Sequence, residues 1–179
     1  GALHRVTPME LLAGLLRELR SRTGVDTNEV ADGVFGCVTQ TAEQGGNIGK
    51  AACLLADWSP SVPAVTINRY CASGLSAVNL AAQQASNLQS LAVAGGVEMM
   101  SRVPMFSDQA PFYTDQVLSQ QIDFMPPPWT SDLVATRHNI SREDCDAYAA
   151  LSQSRAATAR RAGVAKSMVP VRDAQGTLL

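Results

Sequence analysis

Cysteine and histidine are scarce in this sequence, and their spacing excludes several kinds of site. The 179 residues hold four cysteines, at positions 37, 53, 71 and 145, with no Cys-x-x-Cys pair. That spacing favours reduced, intracellular thiols over a disulfide framework or a zinc site. Only two histidines are present, His4 and His138. A histidine-rich metal site is therefore excluded, and we expect no metal.

The sequence also lacks an excess of basic over acidic charge, and it lacks long apolar runs. The chain has 14 Lys and Arg against 16 Asp and Glu, a formal net charge of −2, so nucleic acid is not an expected partner. No apolar run reaches the roughly 18 residues of a membrane span. No signal peptide is visible, and we expect a cytoplasmic location. Gly1 in place of an initiator Met indicates a processed or partial chain.

The first hundred residues alternate between helical and strand patterns. Thr7-Pro8-Met9-Glu10 is a capping box with proline at the first helical position, and Gly24 ends the helix that it opens. This alternation predicts an α/β fold with a largely parallel sheet. Strands are predicted over 34–38, 62–68 and 91–96, and further helices over 47–58 and 73–87.

The character of the sequence changes after Ser101. Residues 102–129 are rich in Pro, Gln and Asp and show no clear period, which is typical of a functional or mobile connection. Two helices are predicted next, the first beginning near Thr130 and the second running from Ser141 to about Ala162. Residues 168–172 are predicted to form a strand.

Cys71 is the strongest candidate for chemistry. It lies between an apolar strand and a helix that begins near Ser73, so its sulfur is expected near unpaired N–H groups and the positive end of the helix dipole. That setting favours a thiolate nucleophile, and the same N–H groups can stabilise an oxyanion on a bound acyl group. The alternative is a buried structural cysteine in a tight turn.

Four segments carry a resemblance to the thiolases, the acyl-CoA acyltransferases. Residues 68–77 read NRYCASGLSA and resemble the nucleophile segment of that family. The other three segments agree in order and spacing: 36–50 (GCVTQTAEQGGNIGK), 92–104 (AVAGGVEMMSRVP) and 140–156 (ISREDCDAYAALSQSRA), with 169–171 resembling the strand that follows.

The resemblance implies a function and an assembly. Cys71 matches the nucleophile that takes an acyl group from acyl-CoA as a thioester. The acyl unit then passes to a second acyl-CoA to give a 3-oxoacyl-CoA, or the reverse reaction cleaves that product with CoA, as in fatty-acid β-oxidation. CoA and acyl-CoA are then substrates, with no permanent cofactor. The family also implies a layered α/β fold, dimers or tetramers, and a dimer interface near the strand at 62–68.

Several segments of the thiolase pattern have no counterpart in this sequence. Thiolases have a strand upstream of the segment that matches Gly1, and a second half that supplies an activating histidine, an asparagine and a second cysteine. None of these has a counterpart here. We therefore expect residues 1–101 to be the N-terminal catalytic half without its first strand, and 102–179 a portion of the inserted loop domain. Such a fragment is expected to be inactive alone.

The sequence leaves open which residues contact CoA and which alternatives to a thiolase apply. Residues 127–132 read PPWTSD where many thiolases carry Met-Gly-x-Thr-Ala-Glu, so no CoA-contacting residue is assigned. The alternatives to a thiolase are a ketosynthase-type condensing enzyme and a non-catalytic thiolase-like protein that binds acyl-CoA or a partner subunit.

Overall fold

The computed structural model describes residues 1–173 and 175–179. These residues form two compact units, the first comprising 1–108 with 169–179 and the second 109–168. The assignment of 1–101 and 102–179 as family domains stays a prediction.

The first unit is built on a three-stranded parallel sheet. Its strands are β1 (Val30–Gly36), β2 (Ala64–Ile67) and β3 (Leu91–Gly96), and their order in the sheet is β2-β1-β3. The α/β fold with a parallel sheet is thus confirmed. In the register of the sheet, the last residue of β1 lies opposite Ile67 on one side and Gly96 on the other. The three strands therefore end level with one another, at one edge.

The first strand begins four residues earlier than the sequence pattern predicts, and it ends before Cys37. Asp32 and Gly33 interrupt the apolar run, and both residue types are poor strand formers. In the fold, however, the Asp32 carboxylate accepts hydrogen bonds from the Gly33 N–H at 2.7 Å and from the Gln84 side-chain amide at 2.7 Å. These bonds satisfy the acid and let the strand extend back to Val30.

Three long helices cover the sheet: α1 (Pro8–Thr23), α2 (Ile48–Leu55) and α3 (Ser73–Leu88). The capping box that opens α1 is formed, since the Glu10 N–H donates to Thr7 Oγ1 at 3.2 Å and the Thr7 N–H donates to Glu10 Oε2 at 2.9 Å. Gly24 ends the helix in the left-handed conformation. The predicted boundaries of α1 and α3 are confirmed to within one residue.

The two faces of β1 belong to different cores. Phe35 is buried against α1 and α2, together with Ala52 and Trp58. Its neighbour Val34 points to the other face and packs against Ala77 of α3. This alternation is the two-residue period of a strand that is buried on both sides, so the first unit has a helix layer, a sheet and a second helix layer.

The second unit is helical. It contains α4 (Pro111–Thr114), α5 (Gln116–Gln121), α6 (Pro127–Arg137) and α7 (Arg142–Arg161), of which α4 and α5 lie in the segment without a clear period. The helix predicted from Thr130 begins three residues earlier, because proline is tolerated in the first turn of a helix, where no backbone donor is needed. No helix among the described residues is both long and apolar enough to cross a membrane.

The strand predicted over residues 168–172 is wrong. In the described part of this segment, Arg172 makes one isolated antiparallel bridge to Leu178, and no strand is formed. Pro170 removes a backbone donor from the middle of the segment, which disfavours pairing in a sheet.

Glycine at position 36 permits the closest approach between the sheet and α3. A Cβ atom built on Gly36 would lie 2.7 Å from the carbonyl carbon of Ser73 and 2.8 Å from the Gly74 nitrogen. At the neighbouring strand end, a Cβ on Gly96 would lie 2.6 Å from the Gly36 oxygen. Glycine at position 36 thus lets the first turn of α3 rest directly on the end of β1, and glycine at position 96 lets the end of β3 lie close to the backbone of Gly36.

A substitution at this contact is expected to destabilise the fold. In Gly36→Ala the new methyl group meets backbone atoms that cannot rotate away, so we expect a loss of about 1–3 kcal/mol in the free energy of unfolding. The matched control is Gly14→Ala in α1, where a Cβ would meet nothing within 4 Å. That variant should gain about 0.5–1 kcal/mol from helix propensity. Urea unfolding followed by circular dichroism measures both, and equal effects would contradict the assignment.

Candidate functional site

Cys71 lies in the turn that joins β2 to α3. It follows the last residue of β2 by four positions and precedes the first residue of α3 by two. The side chain is exposed, so the alternative of a buried structural cysteine is wrong. Because all three strands are parallel, the turn lies at the carboxyl edge of the sheet, where open α/β folds place their ligands.

The turn around Cys71 is held by its own side chains. Tyr70 has a φ of 47°, a left-handed conformation that non-glycine residues adopt only with support. That support comes from Asn68, whose Oδ1 accepts the Tyr70 N–H at 2.8 Å. Ser73 adds two bonds, since its Oγ accepts the Arg69 N–H at 2.8 Å and donates to the Tyr70 carbonyl at 2.6 Å. Cys71 is therefore carried on a closed, hydrogen-bonded turn.

The start of α3 leaves backbone donors next to this cysteine. The N-cap residue Ala72 makes no side-chain cap, and the first turn contains no acidic residue. Within the described residues, the N–H groups of Gly74 and Leu75 have no backbone acceptor. Free N–H groups at a helix N-terminus attract negative charge, so the site offers donors for a developing oxyanion close to the thiol in the chain.

Glu98 joins the loops that follow β1 and β3 at the same edge of the sheet. One carboxylate oxygen accepts the Val38 N–H at 2.7 Å. The other accepts the Thr39 N–H at 3.3 Å and the side-chain amide of Gln44 at 2.7 Å. A residue that follows β3 thus satisfies backbone donors that follow β1.

Gln44 is the buried partner of this acid. It is 0% exposed, and its amide nitrogen donates to the Thr39 carbonyl at 3.0 Å while its Oε1 accepts the Met99 N–H at 2.7 Å. A buried amide is tolerated only when its hydrogen bonds are made. No functional role is predicted for Gln44 or Glu98 from the sequence. The signal that could have found them is that both polar residues lie in the loops after predicted strands, Glu98 two positions and Gln44 six positions beyond a strand end.

The other cysteines have different surroundings. Cys37 and Cys53 are buried. Burial, reinforced by the charge of Glu98, raises the pKa of Cys37 to about 12, and burial also raises the pKa of Cys53. Cys145 is exposed on α7. None of the three is placed by the structure in the turn that carries Cys71.

These surroundings predict the order of modification by a thiol reagent. Iodoacetamide at pH 8 should label Cys71 and Cys145 in the folded chain, because the thiolate is the reactive form and both side chains are exposed. Cys37 and Cys53 should stay unlabelled, since their raised pKa values keep both thiols protonated and burial blocks access. Peptide mass spectrometry counts the adducts, and unfolding in guanidinium provides the control in which all four react. Early labelling of Cys37 would contradict this arrangement.

The described residues contain no group of three or more His, Cys, Asp or Glu side chains that could hold a metal ion. The first half of α6 is formed by residues 127–132, which depart from the thiolase pattern. No residue of α6 is buried. The chemistry that the arrangement supports is that of a single exposed thiol beside backbone donors.

Comparison with known proteins identifies the relatives of this chain. A beta-ketoadipyl-CoA thiolase of Pseudomonas aeruginosa is 37% identical over 190 residues, covering 96% of this chain and 47% of the relative. A 3-ketoacyl-CoA thiolase of Bacillus subtilis is 36% identical, with 96% of this chain and 44% of the relative covered. The solved acetyl-CoA acetyltransferase of Bacillus anthracis superposes with a TM-score of 0.53 at 40% identity, over 56% of this chain and 26% of that one.

The chain spans about half the length of the curated relatives that it matches. The family model described as "Thiolase, N-terminal domain" matches residues 1–177. This match favours the thiolase interpretation over the ketosynthase alternative, and it confirms the resemblance carried by the four ordered segments. Because it extends over nearly all of the sequence, the chain belongs to the thiolase family and corresponds to its N-terminal domain.

Proposed function

We propose that this chain is the nucleophile-bearing part of an acyl-CoA C-acyltransferase that forms or cleaves 3-oxoacyl-CoA. The observation that carries the proposal is the exposed Cys71 on a hydrogen-bonded turn at the carboxyl edge of the sheet. The names of the relatives, a ketoadipyl-CoA thiolase and a ketoacyl-CoA thiolase, support 3-oxoacyl-CoA as the substrate class.

The chemistry proposed for Cys71 is acyl transfer through a thioester. The Cys71 thiolate attacks the carbonyl carbon of acyl-CoA, the C–S bond to CoA breaks, and CoA leaves and takes up a proton. The tetrahedral intermediate carries a negative oxygen, for which unpaired N–H groups at the start of α3 are suitable donors. In the synthetic direction, a base outside these 179 residues takes a proton from the α-carbon of a second acyl-CoA. The resulting carbanion attacks the thioester carbonyl, the C–S bond to Cys71 breaks, and the Cys71 thiolate and the 3-oxoacyl-CoA are released.

Activation of the thiol requires groups that the resemblance locates elsewhere in the family fold. Neither His4 nor His138 lies in a matching motif, and among the described residues no side chain makes a hydrogen bond to the Cys71 sulfur. We propose that a histidine, an asparagine and a second cysteine outside these 179 residues complete the site. We further propose that residues 102–179 form part of the loop domain that covers CoA.

The edge position of β2 supports the proposed assembly. Among the described strands, β2 pairs only with β1, so its outer edge is available for pairing. Val65, in the middle of β2, is 42% exposed. We propose that this edge contributes to a homodimer or homotetramer interface, as the resemblance implies for residues 62–68.

The proposal predicts a covalent acetyl adduct on Cys71. The full-length encoded protein incubated with acetyl-CoA and quenched in acid should gain the mass of one acetyl group, located by peptide mapping on residues 69–75, because acetyl transfer to Cys71 precedes attack by the second acyl-CoA. Cys71→Ser should show no adduct, and Cys145→Ser is the matched control that should acetylate normally. An unmodified Cys71 would favour the alternative of a non-catalytic, acyl-CoA-binding relative.

The 179-residue chain alone is expected to lack turnover. Among its described residues no side chain is hydrogen-bonded to the Cys71 sulfur to act as a base, so the rate of 3-oxoacyl-CoA cleavage with CoA should equal the background rate without protein. The measurement follows loss of the 3-oxoacyl-CoA absorbance, and circular dichroism shows whether the chain is folded in the same sample. Turnover that disappears in Cys71→Ser would contradict the need for further groups.

A further inference from the structure

A continuous series of hydrogen bonds connects Glu98 to the turn that carries Cys71. The Glu98 carboxylate accepts the Val38 N–H at 2.7 Å. The carbonyl of the same Val38 residue accepts the side-chain amide of Asn68 at 3.3 Å. Asn68 in turn accepts the Tyr70 N–H at 2.8 Å, and Tyr70 immediately precedes Cys71. We name this series, from Glu98 through Val38 and Asn68 to Tyr70, the positioning relay.

The relay joins three segments that are distant in sequence. Glu98 follows β3, Val38 follows β1, and Asn68 follows β2, so each segment leaves the same edge of the sheet from a different strand. The remaining bonds of the turn, those made by Ser73, are local and connect residues four or fewer positions apart. The Asn68 bond to Val38, by contrast, connects the turn to the loop that follows β1.

Two features show what the relay controls. Tyr70 is held at a φ of 47°, and the acceptor for its N–H is an Asn68 side chain whose other end is fixed on Val38. Releasing Asn68 from Val38 lets that side chain rotate, and the support for the left-handed residue next to Cys71 is then lost. Glu98 also accepts the Thr39 N–H at 3.3 Å, which belongs to the same peptide group as the Val38 carbonyl. Because a charged acceptor makes stronger hydrogen bonds than a neutral one, the Glu98 carboxylate holds the backbone on both sides of Val38 more firmly than an amide would.

From this geometry we propose that Glu98 is a positioning residue for Cys71, acting through the backbone of Val38 and the side chain of Asn68. The proposal rests on the proposed function, since it assigns the relay to placing the thiol for acyl transfer. Glu98 and Asn68 are both exposed residues, so their substitution does not open the apolar cores of the first unit.

The decisive variants cut the relay at different points. Glu98→Gln replaces one acceptor oxygen by a donor, Asn68→Ala removes both bonds of the side chain, and Asn68→Asp keeps the acceptor for Tyr70 but loses the donor to Val38. In the full-length encoded protein, kcat for acyl transfer should fall about 10- to 100-fold in Glu98→Gln and in Asn68→Ala, because small misplacements of a reacting group have large effects. KM should change by less than about twofold.

Coupling between the variants tests the relay as a series. The double variant Glu98→Gln with Asn68→Ala should lose no more activity than Asn68→Ala alone, since the second cut falls on a connection that is already broken. Asn68→Asp should behave like Glu98→Gln, because both keep an acceptor beside Tyr70 and both disconnect it from Glu98, the first at the Val38 carbonyl and the second at the Val38 N–H. Multiplicative losses in the double variant would overturn the relay, as would single variants with unchanged kcat.

A matched control separates positioning from the general fixing of these loops. Glu43 lies in the same loop as Val38 and accepts two bonds from Arg102, one at 2.6 Å, but it makes no bond to the relay. Glu43→Gln is the same chemical change as Glu98→Gln and should leave kcat within about twofold of the wild type. An equal loss of kcat in Glu43→Gln would show that loop fixation alone is responsible and would overturn the proposal.

A second measurement distinguishes failure of this proposal from failure of the proposed function. The rate of iodoacetamide labelling at Cys71, divided by the rate at Cys145 in the same sample, reports on the turn without requiring catalysis. This ratio should change at least about threefold in Glu98→Gln and Asn68→Ala and should stay constant in Glu43→Gln. A wild type that forms no acetyl adduct overturns the proposed function, whereas an unchanged labelling ratio overturns the relay.

Discussion

The close approach of α3 to the end of β1 is the constraint on which the candidate site depends. Gly36 and Gly96 lie opposite each other in the parallel register, and neither has room for a side chain. The first turn of α3 therefore rests on the strand end itself. This contact sets where β2 must turn, because only a few residues separate its last residue from the helix, and Cys71 lies within those residues.

Polar side chains stabilise the edge that this contact creates. Loops at the end of a parallel sheet carry backbone groups that have no strand partner, and burying such groups unpaired costs free energy. Glu98 and Gln44 supply acceptors and donors to the backbone after β1 and β3. Asn68 accepts the Tyr70 N–H after β2 and donates to the Val38 carbonyl after β1. The same groups that satisfy the backbone hold the three loops in one arrangement, so stability and the placement of the thiol have a common origin.

Local signals account for the parts of the fold that the sequence predicts. The capping box at Thr7 and the stop at Gly24 determine α1 through contacts a few residues apart, and the place of Cys71 between a strand and a helix follows from local patterns of the same kind. The misplaced start of β1 and the incorrect strand at 168–172 have two different origins. Asp32 is accommodated by Gln84, 52 positions away, a tertiary contact that a local pattern does not contain. At 168–172 the signal is local, because Pro170 lacks the backbone donor that strand pairing needs.

The difference between local and distant contacts also explains why the short motif at residues 68–77 predicts only part of the site. Within residues 68–77 the sequence specifies a turn that closes on itself through Ser73 and Asn68. It does not specify how that turn is oriented against the sheet, because the bonds that do so span 30 residues to Val38 and 60 from there to Glu98. A ten-residue motif alone thus encodes a cysteine on a turn. The ordered segments after β1 and β3 encode the surroundings that orient it, which is why four segments in order identified the family where one motif left a structural alternative open.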